Sequence, residues 1–300
     1  MFNFVQVLSD SVKNGQYFQI AGISKTKAQT ITILFSTGRT QTSDYVLKID
    51  VDFNKSKIII NESSENEIPT GSGEEFEFIV SVDNDYFQIN FNDNNLCEYQ
   101  TQAYADEITS VIIYGDLERL LKVNHFNKEY PKTTNDCPNL ALECFIPIKY
   151  QPGHVIVISG QCTEEFHVDF PESHKIRKLI HFNVRFREKS VVMNTEDKNE
   201  DNSWSPFEDR PKAFPFAINK PFKIAFAFTD EILKVAVDGT KIMDFSLFRI
   251  LLQDDENIWD MLYGFRITNR KKDTITKITN VEHIKMDPQC KGFEKYSSKN

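Results

Sequence analysis

Three hundred residues, 40% hydrophobic and 12% aromatic, can bury one large core or two ordinary ones. A net charge of −9 and a pI near 5.3 argue against nucleic acid or an anionic membrane surface as partner. No apolar run approaches membrane-spanning length, so no membrane insertion is expected. Residues 1–7 lack the basic start and apolar stretch of a signal peptide. A cytoplasmic chain is therefore expected, with secretion only by a signal-peptide-independent route.

In chain order, residues 76–82, 86–91, 154–158 and 166–170 are short runs rich in β-branched and aromatic residues, bounded by Gly, Asn, Asp or Pro. Many such runs at close spacing predict an all-β sandwich or barrel. Residues 116–121 and 246–252 carry helix-like spacing and are read as short turns or strands. The two halves look like copies. Phe76 and Phe222, Asn92 and Asp238, and Tyr99 and Phe245 all lie 146 residues apart, and Gly15 and Gly22 answer Gly153 and Gly160. Residues 126–138 hold two prolines and no periodicity, a linker composition. The expected organisation is a first domain at 1–125, a linker at 126–142, a second domain at 143–290 and a polar tail at 291–300. Five cysteines (Cys97, Cys137, Cys144, Cys162, Cys290), irregularly spaced and without Cys-x-x-Cys, suggest free thiols, and no metal site or cofactor is expected.

The stretch from Ile180 to Phe186 concentrates the chemistry. As a strand it turns Ile180, Phe182, Val184 and Phe186 to a core and His181, Asn183 and Arg185 to the other face, as a row spaced roughly 7 Å apart. The row combines a ring nitrogen, an amide that donates and accepts, and a planar five-donor fork, which suits a rigid ligand carrying several hydroxyls. Alone, such a row also fits an ordinary solvated face. Val191-Val192-Met193-Asn194 then forms a second short strand, and Trp204, Glu208 and Arg210 follow.

The order His-x-Asn-x-Arg, Val-x-Asn, Trp, Glu-x-Arg resembles the carbohydrate-recognition site of galectins, with a spacing like that of tandem-repeat and nematode members. Phe214-Pro215-Phe216 and the run from Leu233 to Gly239 extend the match. The resemblance implies two jelly-roll β-sandwiches in tandem and a non-enzymatic lectin. Its partners would be β-galactoside-containing glycans on glycoproteins or glycolipids. Trp204 would stack on the apolar C–H face of galactose, with His181, Asn183 and Arg185 on the axial hydroxyl and ring oxygen. Asn194 and Glu208 would hold the hydroxymethyl group, and Arg210 would reach the second sugar and pair with Glu208. The step from Trp204 to Glu208 is one residue longer than the usual pattern, which leaves the specificity open.

The first half does not repeat the site. Aligning Asn61 with Asn194 puts Lys48, Asp50 and Asp52 where the second half has His181, Asn183 and Arg185. The first half has no tryptophan, and 38 residues separate Asn61 from Tyr99 against 51 from Asn194 to Phe245. Asp50 and Asp52 are open to three readings: paired carboxylates for acid–base chemistry, cation ligands, or a solvated acidic face. A protein partner and a different ligand are the roles left open for this half. The runner-up for the whole chain is a galectin-fold protein-interaction module that no longer binds galactose. A glycosidase using Asp50 and Asp52, or Glu208 and Asp209, ranks third.

Overall fold

The structure, a computed structural model, describes residues 2–68, 70–83, 86–101, 103–128, 140–172, 177–197, 203–250, 256–271 and 276–299. It divides into two compact units, Met1–Tyr130 and Pro131–Asn300. The strands of the first are β1 (Phe2–Val7), β2 (Gln16–Ser24), β3 (Thr30–Ser36), β4 (Tyr45–Asp52), β5 (Lys57–Ile60), β6 (Ser64–Glu67), β7 (Glu75–Asp83), β8 (Tyr86–Phe91), β9 (Asn94–Gln100), β10 (Ser110–Gly115) and β11 (Leu117–Asn127). They form one antiparallel sheet in the order β1-β10-β3-β4-β5-β6 and a second in the order β11-β2-β7-β8-β9. The second unit holds β12 (Leu140–Phe145), β13 (His154–Gln161), β14 (Phe166–Pro171), β15 (Lys178–Arg185), β16 (Ser190–Asn194), β17 (Pro221–Phe228), β18 (Ile232–Val237), β19 (Thr240–Ser246), β20 (Gly264–Asn269) and β21 (Lys277–Lys285). Its sheets run β12-β20-β14-β15-β16 and β21-β13-β17-β18-β19. Its one short helix among the described residues is α1 (Ile258–Met261).

Each unit is a sandwich because alternate side chains of its strands are apolar and meet those of the opposite sheet. In the first, Phe18 of β2 meets Phe35 of β3 at 5.0 Å, edge to face. In the second, Phe182 of β15 meets Phe226 of β17 at 5.3 Å, and Phe166 of β14 stacks on Phe222 of β17 at 5.1 Å. Each fully buried Phe contributes about 1.5–3 kcal/mol.

The internal repeat is carried by matching backbone devices. The β8–β9 and β18–β19 hairpins turn at Asn92-Asp93 and Asp238-Gly239, both with positive φ at the two central residues, as type I′ turns require. Asn92 Oδ1 accepts from Glu77 N at 2.8 Å, and Asp238 Oδ1 accepts from Lys223 N at 3.0 Å. At Gly22 an added Cβ would lie 2.9 Å from Arg119 O and 3.1 Å from Phe76, and at Gly160 it would lie 2.5 Å from Lys277 O and 3.0 Å from Phe222. Both glycines sit where the register of their strand pair slips. The cross-strand histidines also correspond. His125 lies opposite Phe18 and His283 opposite Ile156, and Phe18 and Ile156 hold the same place after Gly15 and Gly153.

Two expectations need correction. The linker stretch 126–142 is invaded from both ends, by Phe126 and Asn127 of β11 and by Leu140–Leu142 of β12, because buried apolar side chains there join the sheets; residues 129–139 lie outside the described residues. The polar tail at 291–300 instead forms a 3₁₀ turn, Phe293–Ser297. Phe293 and Cys290 pack with Val155, Val157, Ala225, Ala227 and Ala236 on the second unit, Tyr296 against the same cluster. The helix-like runs, read as short turns or strands, are the start of β11 and a 3₁₀ turn, Leu247–Arg249, with Leu251 and Leu252 outside the described residues.

Candidate functional site

Strand β15 carries the polar row, and its neighbours complete it. His181 lies opposite Asn194 of β16 and opposite Asp169 of β14. Asp169 in turn opposes Arg266 of β20, which opposes Glu143 of β12. A buried ladder of five polar groups, Glu143, Arg266, Asp169, His181 and Asn194, therefore crosses the whole sheet. Arg266 Nε donates to Glu143 Oε2 at 2.9 Å. His181 Nδ1 donates to Asp169 Oδ1 at 2.5 Å. A carboxylate can only accept, so this bond puts the proton on Nδ1 and leaves Nε2 as an acceptor for a hydroxyl.

Asn183 lies on the same face, opposite His167. Its Oδ1 is buried with no hydrogen-bond partner among the described residues. An unpaired buried carbonyl costs about 1–3 kcal/mol unless something supplies a donor. Burial pushes the His167 imidazole down to about 4, the neighbouring His181 adding to the shift.

Past β16 the sheet is extended by a return segment. Two bridges, Met193 with Asp209 and Glu196 with Trp204, hold it, with Met193 N to Asp209 O at 2.9 Å and Asp209 N to Met193 O at 3.0 Å. Between the bridges stand residues 205–208 on the return segment but only 194 and 195 on the other side, so Ser205–Glu208 bulges outward, with Pro206 in the bulge where no N–H is needed. The longer Trp204–Glu208 step is absorbed there.

Trp204 is 42% exposed. Its ring centroid lies 4.6 Å from that of His181, and Lys178 Nζ sits 5.2 Å from its centre. Lys178 is held by Glu196 at 2.5 Å, so the indole is braced while one surface stays open. Asn194 spends its oxygen on Thr195 N at 2.8 Å and one N–H on Ser205 O at 3.0 Å. Glu208 receives Arg210 Nη2 at 2.7 Å and lies 3.8 Å from Arg185 Nη2, and Glu188 lies 3.3 Å from Arg185 and 3.4 Å from Arg210. Asp209 is engaged by Arg249 at 2.5 Å.

All seven residues read from the sequence thus gather on one face: His181, Asn183, Arg185, Asn194, Trp204, Glu208 and Arg210. The ladder partners Asp169, Arg266 and Glu143, and His167, went unread. The run Phe166-His167-Val168-Asp169-Phe170 did carry the signal, since its polar residues alternate with apolar ones as in β15.

The first unit has the same strand register but different chemistry. Asp50 opposes Ile59 and Asp52 opposes Lys57, just as Asn183 opposes Val192 and Arg185 opposes Ser190. Lys48 Nζ lies 2.9 Å from Asp50 and 3.3 Å from Glu62, and Thr32 Oγ1 donates to Asp50 at 2.6 Å. Asp52 accepts from Asn54 N and Lys55 N, each at 3.0 Å. The two carboxylates are therefore committed separately, Asp50 to Lys48 and Thr32 and Asp52 to its own turn and Lys55.

Residues 3–125 and 142–259 both match the galactoside-binding lectin family. A 32 kDa beta-galactoside-binding lectin of Caenorhabditis elegans is 26% identical over 257 residues, covering 80% of this chain and 86% of the relative. Its namesake in Haemonchus contortus is 24% identical over 257 residues, covering 80% and 84%. Galectin-3 of Mus musculus is 39% identical over 107 residues, 34% of this chain and 38% of that protein. With two sandwiches of matching register, each overlapping a matched segment, the chain belongs to the galactoside-binding lectin family as a tandem of two such domains.

Proposed function

We propose that the second unit binds β-galactosides without catalysing any reaction on them, and that the first unit does not bind them. The observation that carries this is the open half of the polar face. Asn183 Oδ1 lacks a donor, the partly exposed Trp204 ring lies against His181 on the same face, and His181 Nε2 is set as an acceptor by Asp169. A galactose ring offers what these groups lack: hydroxyls that donate and accept on one edge, and a C–H patch to lie on the indole. Arg185 and Arg210, aimed by Glu208 and Glu188, supply planar donors at the rim. Asn194 braces the Trp204 segment and has one N–H left for the ligand. In the first unit Lys48, Asp50 and Thr32 satisfy one another and no indole is present.

Lactose has about 23 heavy atoms, and at roughly 0.3 kcal/mol each its affinity reaches tens of micromolar at the tightest. Titration of the full chain followed by tryptophan emission is the test. The expected result is saturable binding, between that limit and millimolar, lost in Arg185→Ala by emission and in Trp204→Ala by ligand-observed NMR. Unchanged affinity in both variants would move the site elsewhere. Two observations favour the second reading, a protein-interaction module without galactoside binding: the bulge at Ser205–Glu208 and the backbone bonds of Asn194. No response to lactose by emission or ligand-observed NMR would decide for it.

A further inference from the structure

Where β14 and β15 pair, four side chains form a two-by-two block on the site face: His167 opposite Asn183, and Asp169 opposite His181. Opposed residues of an antiparallel pair bring their Cβ atoms to about 4.5–5.5 Å and project the same way. One ligand atom each from His167, Asp169 and His181 lie within 4.8 Å of one another, and this is the one such cluster among the described residues. Asp169 is buried, and its one hydrogen bond among the described residues comes from His181. Neither ring nitrogen of His167 has a hydrogen-bond partner among them. Beside the cluster stands the unpartnered Asn183 Oδ1. Two imidazoles and a carboxylate on rigid paired strands, next to a spare amide oxygen, form a ligand set no hydrogen-bonding scheme here uses up.

We propose that His167, Asp169 and His181 form a binding site for a divalent first-row transition metal ion, zinc in the first place, and that metal and galactoside exclude one another there. Imidazole nitrogens with one carboxylate select zinc and its neighbours over calcium or magnesium, which prefer all-oxygen ligands. Three protein ligands leave the fourth tetrahedral position to water or to Asn183 Oδ1. Arg266, opposite Asp169 across the strand pair, is already paired with Glu143. With zinc–ligand bonds of about 2.0–2.1 Å, tetrahedral ligand atoms stand about 3.4 Å apart, so the His181–Asp169 contact opens by roughly 1 Å.

Exclusion follows from the His181 ring. A metal on Nε2 occupies the acceptor that a sugar hydroxyl would use. A metal on Nδ1 sends the proton to Nε2, so a hydroxyl whose oxygen already accepts from its other neighbours can no longer donate there. The exclusion rests on the galactoside reading, whereas metal binding does not.

The test uses the tag-free full chain, stripped with chelator and titrated with zinc chloride by calorimetry, with cobalt(II) absorption reporting coordination. Zinc binding is expected to saturate at one equivalent, and His167→Gln to weaken it by about tenfold or more. Zinc is expected to lower the apparent lactose affinity and EDTA to restore it. Absence of one-equivalent zinc binding, or equal zinc binding by His167→Gln, overturns the site. Zinc binding that leaves the lactose titration of a lactose-binding chain unmoved overturns the exclusion. A chain that takes zinc but never responds to lactose retires the galactoside reading and leaves the metal site standing.

Discussion

Glu208 is shared by two arginines, Arg210 at 2.7 Å and Arg185 at 3.8 Å. Both pairs are partly exposed, and such pairs contribute only about 0–1 kcal/mol to stability, because water screens them and long side chains must be held still. Their value lies in direction, since a guanidinium fork aimed wrongly loses its bidentate advantage. Glu208→Gln should therefore lower lactose affinity by about tenfold while shifting the melting temperature by no more than about 4 °C; a fluorescence titration beside a thermal melt checks both. Equal affinity would show that the arginines are aimed by Glu188 alone. The residues on β15 were legible because one contiguous run with a period of two displays them together. The His181 partner was not, although Asp169 is only 12 residues away, because strand pairing and not spacing places it there. Arg266 and Glu143, 123 residues apart, were further from view.

Hairpins, bulges and the closing 3₁₀ turn set the properties of the elements. At Gly160 an added methyl would stand 2.5 Å from the Lys277 carbonyl, against 2.9 Å from the Arg119 carbonyl at Gly22. Backbone cannot swing aside as a side chain can, so Gly160→Ala should destabilise the second unit by about 1–3 kcal/mol and Gly22→Ala the first by less. Denaturant midpoints of the two variants test the order. Phe293 is buried against small residues of β13, β17 and β18, and Phe293→Ala should cost the second unit about 3 kcal/mol. Both tryptophans, Trp204 and Trp259, lie in that unit, so emission during urea unfolding reads its loss directly. An unchanged midpoint would mean that the segment rests on the sheet without supporting it. The β-runs and the repeat were legible from alternation and from constant offset. The tail was not: its Lys, Glu and Ser content reads as solvated, and only the i, i+3 spacing of Phe293 and Tyr296, which a 3₁₀ turn puts on one side, hints at docking.

For the whole molecule, buried imidazoles set the acid limit. Burial pushes His125 in the first unit down to about 3 and His154 and His167 in the second down to about 4. The unfolded chain takes these protons near 6.5, so their stabilisation is full above that pH and is lost as pH falls toward the folded values. At pH 5 a fully buried imidazole such as His125 has withdrawn about 2 kcal/mol. With two such groups against one, the second unit should unfold at higher pH than the first; tryptophan emission against NMR signals of the first unit measures the order, and coincident transitions would refute it. Valency is also a property of the whole chain. Crosslinking needs two sites, whose joining raises avidity by a factor on the order of 10² to 10⁴. A chain with one galactoside site should bind immobilised galactose, elute with lactose and fail to agglutinate red cells. Lactose-inhibited agglutination by a sample that scatters light as a monomer would overturn this. The Lys48–Asp50–Thr32 cluster finally bears on history. Once a duplicated face stops meeting its ligand, idle hydrogen-bonding groups can be replaced by an internal ion pair, and selection for stability alone favours the change. Reversal would require Lys48, Asp50 and Asp52 to change together, since the early steps strand a charge before any sugar is gained. Descendants of such a copy can find a new partner more easily than return to the old one.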